Sequence, residues 1–200
     1  MGSLVREMKS IIVEIADKKI LVTAEFRPII DFTGKNILCY QVVARFFEAN
    51  DTPDLPYPIT AHIQDPVLVN HIADFIFDTL CQLAKKKETL CFSFTLPQQR
   101  LNDRDYLATL HHQCVSNDVR PERIEIAISK QITRHQLLAS LPFLNQAKAY
   151  GFMLSLENAS DGAERACDPE LRPLFPAIQG YALHRSLTLS QLQLREDISE

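Results

Sequence analysis

Histidine and cysteine three residues apart on a helix can share a metal ion, and His111-His112-Gln113-Cys114 offers that spacing. Leu107, Leu110, His111 and Cys114 fall on one helical face, however, which makes the stripe a core face with a polar edge. No second ligand pair matches it, so no metal site is expected. A Cys/His nucleophilic pair would need an elbow or protease signature to stand out, and neither is present. Glycine-rich phosphate cradles are also missing, since the five glycines are dispersed. The five cysteines, Cys39, Cys81, Cys91, Cys114 and Cys167, are odd in number and show no CxxC spacing. They read as reduced, mostly buried thiols, which makes a cytoplasmic location the expectation.

Charge narrows the partners. The chain has a net charge of −4 and a pI near 5.9, whereas phosphate-backbone binding normally needs a basic stripe. No direct nucleic-acid partner is therefore expected. Lys85-Lys86-Lys87 sits where a helix should end, opposing its dipole. No unbroken apolar run approaches the roughly 18 residues of a membrane span, so no membrane partner is expected either. Met1-Gly2-Ser3 reads as the remnant of a tag and stays outside the fold argument.

The elements that must position any chemistry follow from periodicity. Leu4, Val5, Met8, Ile11, Ile12 and Ile15 recur at helical spacing and predict an amphipathic first helix. Phe26 to Asp31 reads as a strand, Thr33-Gly34-Lys35-Asn36 as a turn, and Ile37 to about Phe46 as its hairpin partner. Residues 47–65 are polar and proline-bearing. Asp65-Pro66 then opens a helix with a capping residue and an N1 proline, and Leu68, Ile72, Phe75, Ile76, Leu80 and Leu83 form its inner face. Thr89 to Thr95 is a strand, Asp103 to Ser116 a helix, and Arg123 to Ile128 a strand. A helical stretch from Gln131 to Tyr150 breaks at Pro142 and stops at Gly151. Phe152 to Leu156 is the next strand. This alternation implies βα units around a largely parallel sheet, open or barrel-like. The last quarter departs from the rhythm, with a polar stretch at 160–176 holding one helical turn near Ala163-Cys167. A brief strand from Ala177 to Leu183 and a terminal helix from Leu189 to Arg195 close the chain.

In that order the motifs resemble the EAL domain, a bacterial family that hydrolyses cyclic di-GMP on a modified TIM-like barrel. Arg27-Pro28-Ile29-Ile30-Asp31 resembles its QPI strand, and Gln41-Val42-Val43-Ala44-Arg45 its EALLR signature. Leu90 to Leu101 resembles the strand with the Asn-Leu-Ser motif, and Pro121 to Lys130 the strand ending in Glu-Ile-Thr-Glu. Tyr150 to Asn158 stands where the family has its glycine, strand and paired aspartates. Ile178-Gln179-Gly180-Tyr181, followed by Arg185-Ser186-Leu187, resembles the closing strand.

The resemblance implies metal-assisted attack of water on a phosphodiester, with carboxylates and an asparagine holding the ions. Carried over position by position, the signature glutamate is Gln41, the asparagine Thr95, the fourth-strand glutamate Ala127 and the next acid Lys130. The paired aspartates become Glu157 and Asn158, so one carboxylate remains. The family places two further strand–helix units before its closing strand, one bearing a catalytic lysine, yet Glu157 and Gln179 lie too close for both. A second alignment sets Leu183-His184-Arg185-Ser186 on the family's Lys-Ile-Asp-Arg-Ser segment, and the lysine is absent there too. A full barrel takes about 250 residues, so this 200-residue chain is expected to be one α/β domain, an incomplete EAL-like barrel of about six of eight strands, the first antiparallel.

The expectation is therefore a non-catalytic regulatory domain without cofactor or metal, acting on a protein partner in bacterial signalling. The alternative is a catalytically dead cyclic di-GMP receptor. In the family the signature arginine binds nucleotide phosphate, which makes Arg45 a candidate phosphate contact, with Arg27, which replaces the family's glutamine, as a second; each also reads as a structural arginine paired with an acid. Acidic neighbours at Arg45 would favour the protein-binding role, and a basic open pocket the receptor. An incomplete barrel leaves strand edges to cover, a task assigned to residues 160–176, a partner protein or a second copy of the chain.

Overall fold

The computed structural model describes residues 10–15, 17–30, 37–48, 63, 65–129, 131–156 and 182–183. Its first element is a strand, β1 (Ser10–Ile15), where the spacing predicted a helix. Ile11, Ile12, Val13 and Ile15 are β-branched, which restricts them in a helix and suits a pleated surface. The burial settles the period: Val13 is buried between an Ile12 that is 64% exposed and an exposed Glu14. Residues 4–8 of that expected helix lie outside the described residues.

Asp17, at φ 62°, turns the chain into β2 (Lys18–Ile30), which pairs antiparallel with β1 from Ser10↔Thr23 to Ile15↔Lys18. β2 thus begins well before the expected Phe26. β3 (Ile37–Glu48) returns antiparallel to it, with Arg27 opposite Gln41 and Thr23 opposite Arg45.

Helix α1 (Pro66–Lys86) starts as expected, with the Asp65 side chain accepting from the Val67 N–H. It ends on Lys85 and Lys86, with Lys87 as its C-terminal cap. By length and composition α1 would qualify as a membrane span, which corrects the survey of unbroken apolar runs, because Asn70, His71, Asp74 and Asp78 interrupt the run without ending the helix. Ile72, Ile76, Phe77, Leu80 and Leu83 on it are buried, and the Phe77 ring meets Phe94 at 5.1 Å, nearly perpendicular. Its apolar side belongs to the core.

Strand β4 (Phe92–Leu96) pairs parallel with β3, and β5 (Ile124–Ile128) and β6 (Met153–Leu156) extend the parallel run. Helix α2 (Arg104–Ser116) is capped by Asp103. The next helical stretch is split into α3 (Arg134–Ala139) and α4 (Leu141–Ala149), with Ser140 between them and Pro142 in the first turn of the second. Gly151, at φ +94°, ends α4, and a Cβ there would lie 2.9 Å from a Glu122 oxygen. Arg123 is buried and ties β5 to the end of α1. Its guanidinium donates to the carbonyls of Ala84 (3.0 Å), Leu90 and Lys87.

The sheet order is β1-β2-β3-β4-β5-β6, and β7 (Ala182–Leu183) pairs antiparallel with Ile29 and Ile30 of β2. β7 directly follows Gln179-Gly180-Tyr181, so the chain returns to the strand that carries Arg27-Pro28. Strands β2 to β7 supply the six expected, the first antiparallel, and β1 is an addition. The turn at 33–36, most of 47–65, the segment 160–176 and the terminal helix lie outside the described residues, as does the expected cover of the sheet edge.

Candidate functional site

Pleating gives the sheet two unlike faces. Val22, Ala24, Phe26, Tyr40, Val42, Phe92, Phe94, Ile124 and Ile126 point one way and pack under the helices. The alternate residues share the other face, and they are mostly polar: Thr23, Glu25 and Arg27 on β2; Gln41 and Arg45 on β3; Ser93 and Thr95 on β4; Glu125 and Ala127 on β5; Ser155 on β6. Registers align them in rungs. One runs Arg27, Gln41, Ser93, Glu125, and the next up holds Thr95, Ala127 and Ser155. Five of these side chains, Thr23, Glu25, Ser93, Glu125 and Ser155, are buried, so both faces of the sheet are shielded from water.

Gln41, Thr95 and Ala127 therefore share one face; Thr95 and Ala127 are the penultimate residues of β4 and β5, toward the strand ends where an α/β barrel builds its site, and Gln41 lies within β3 on the adjoining rung. The donors there are an amide, a hydroxyl and a methyl, and that set does not fit hard divalent cations, which take carboxylate oxygens. Lys130, Glu157 and Asn158 lie outside the described residues. Two carboxylates on this face, Glu25 and Glu125, are described. They stand on β2 and β5, with β3 and β4 between them. Glu125 accepts a 2.8 Å hydrogen bond from the Ser155 hydroxyl. Cys39, on the same face lower down, has its thiol held well above the ordinary range by burial and then by the Glu125 charge, which makes it a poor nucleophile.

Arg45 is paired. Its Nε lies 2.5 Å from Glu25 Oε2, with the arginine side chain 34% exposed and the glutamate 7%. The contact is ionic, since neither Glu25 oxygen accepts a hydrogen bond of ordinary geometry. Arg27 Nε is buried and likewise without a hydrogen-bond partner. Of the two sequence-level roles for Arg45, the structure thus displays the arginine paired with a nearby acid. Glu25 was missed because β2 was begun at Phe26. The alternation Val22, Thr23, Ala24, Glu25, Phe26, Arg27 carries the signal, a polar face interleaved with an apolar one.

The histidine–cysteine stripe is core. Leu107, Leu110 and Cys114 are buried, and the His111 ring stacks on Tyr150 at 4.4 Å. Cys114 faces Cys81 on α1, whose thiol is raised far above its usual range by their contact and then by burial.

The EAL domain family model matches residues 14–166. Among solved structures, the PaMucR phosphodiesterase in its c-di-GMP complex is 12% identical, with a TM-score of 0.58 over 68% of this chain and 57% of that one. The FimX EAL domain from Pseudomonas aeruginosa bound to c-di-GMP is 15% identical, with a TM-score of 0.57 over 68% and 55%. The Bacillus subtilis YkuI protein, in complex with substrate c-di-GMP and calcium, is 12% identical, with a TM-score of 0.51 over 72% and 38%. The alignments thus span less than two thirds of each of these relatives. No curated protein matches the sequence.

Proposed function

The chain belongs to the EAL domain family, and from that premise we propose that it is a non-catalytic, cytoplasmic member that regulates signalling by binding another protein. One observation carries this reading: Gln41, Thr95 and Ala127, the positions that the family fills with metal ligands, lie on one face of three neighbouring strands and offer no carboxylate. Without carboxylates at those three positions, the face lacks the ligands that the family uses to hold the ions that polarise a phosphodiester and generate the attacking hydroxide. The Glu25–Arg45 pair extends the argument from catalysis to binding, because the arginine that would meet a nucleotide phosphate already faces a carboxylate. What remains is a folded scaffold whose Arg45 is already neutralised by Glu25, and a fold kept without its chemistry is free to serve recognition of a protein.

The second reading is a catalytically dead cyclic di-GMP receptor. In its favour stand the partial exposure of Arg45 and the solved relatives whose structures hold c-di-GMP. A calorimetric titration with cyclic di-GMP, with and without magnesium, separates the two. Flat traces are expected. Saturable micromolar binding that weakens in Arg45→Ala would replace the protein-binding role with the receptor.

A further inference from the structure

We propose that Glu25 is a built-in competitor for phosphate, an internal carboxylate that occupies Arg45 and keeps the strand-end cleft closed to phosphate esters. The inference rests on the reading of this face as a neutralised ligand cleft, and it names the residue that neutralises it. A guanidinium presents its N–H fork to carboxylate and phosphate in the same geometry, so Glu25 and an incoming ester compete for the same donors. Glu25 has two advantages in that competition. It is fixed on the strand beside Arg45, which makes its contact intramolecular and its effective concentration high. It is also 5% exposed, so it has no route by which to turn into solvent.

The corner is otherwise set up for an anion. Among the described residues of this face of β2 and β3, Glu25 is the single carboxylate, and Arg27 and Arg45 are both present. Arg27 Nε is buried without a hydrogen-bond partner, and so are both Glu25 oxygens. Buried polar atoms left this way are costly. Both Glu25 oxygens thus rest on a charge contact alone, and an oxyanion in their place would offer Arg45 more acceptor oxygens. Removing the Glu25 charge should open the position.

The test is a calorimetric titration with cyclic di-GMP, using the full chain and Glu25→Gln, which keeps the side-chain shape and removes the charge. The wild type is expected to give a flat trace. Glu25→Gln should give a saturable isotherm, with an association constant at least about tenfold above the wild-type limit. The added substitution Arg45→Ala should return it to flat, and millimolar inorganic phosphate should compete. A folded Glu25→Gln whose trace stays flat overturns the proposal and leaves the protein-binding reading intact. Wild-type binding as tight as the variant's overturns both. Should Glu25→Gln fail to fold, Glu25→Asp withdraws the carboxylate by one methylene and should show a smaller gain, while a trace as flat as the wild type's counts against the proposal.

Discussion

Arg123 shows how one side chain can decide whether neighbouring elements meet. It is 7% exposed, and its guanidinium donates to the carbonyl of Ala84 in the last turn of α1 and to those of Lys87 and Leu90 just beyond it. Burial lowers its pKa, yet an arginine stays protonated across the working range. Arg123→Ala would strand several buried acceptors and is expected to cost about 3 kcal/mol in urea denaturation. Asp103 works at the opposite end of a helix, accepting from the Tyr106 N–H at 2.9 Å and from Arg100 at 2.7 Å. The Tyr106 N–H first, and the Arg100 guanidinium after it, hold its carboxyl below the usual range. A depressed acid stabilises the fold above its unfolded pKa and loses that contribution as pH falls through the folded one. Asp103→Ala should therefore cost about 1 kcal/mol at neutral pH, and the difference from wild type should shrink below about pH 4. An unchanged gap at pH 3 would contradict the capping account.

At the scale of elements, the helices announced themselves through their ends. Asp65-Pro66, Asp103, Pro142 and Gly151 each mark a boundary that the structure respects, because caps and turn residues act locally. The strands from β3 to β6 were legible for a similar reason, as short, largely apolar runs between such markers. The first element was not. Its isoleucines satisfy a helical period and an alternating one at once, and only pairing with β2 decides between them. That long-range choice also hid Glu25, the functional side chain that the sequence did not bring forward. The two periods make different predictions that stability measurements can separate. In a strand, Val13→Ala removes two buried methyl groups at about 1.5 kcal/mol, while Ile12→Ala, at a position 64% exposed, should stay within about 0.5 kcal/mol of wild type. A helix with Ile11, Ile12 and Ile15 inward would reverse that order.

Across the whole molecule, fold and chemistry rest on different residues. The alternating sheet, its antiparallel opening strand and the return of β7 to β2 follow from patterns that a core enforces, since each strand must bury its apolar face. The chemistry depends instead on single side chains, and Gln41, Thr95 and Ala127 carry no charge. Order and spacing therefore brought forward the candidate site, while the pairing that occupies Arg45 needed the folded register. The measurement that bears most directly on this account is a hydrolysis assay of the purified chain with cyclic di-GMP and either magnesium or manganese, reading substrate and linear product by chromatography. The expected result is substrate loss no faster than in a blank without protein. Metal-dependent turnover that a chelator abolishes would contradict the account, because it would require ions to be held although Gln41, Thr95 and Ala127 offer no carboxylate.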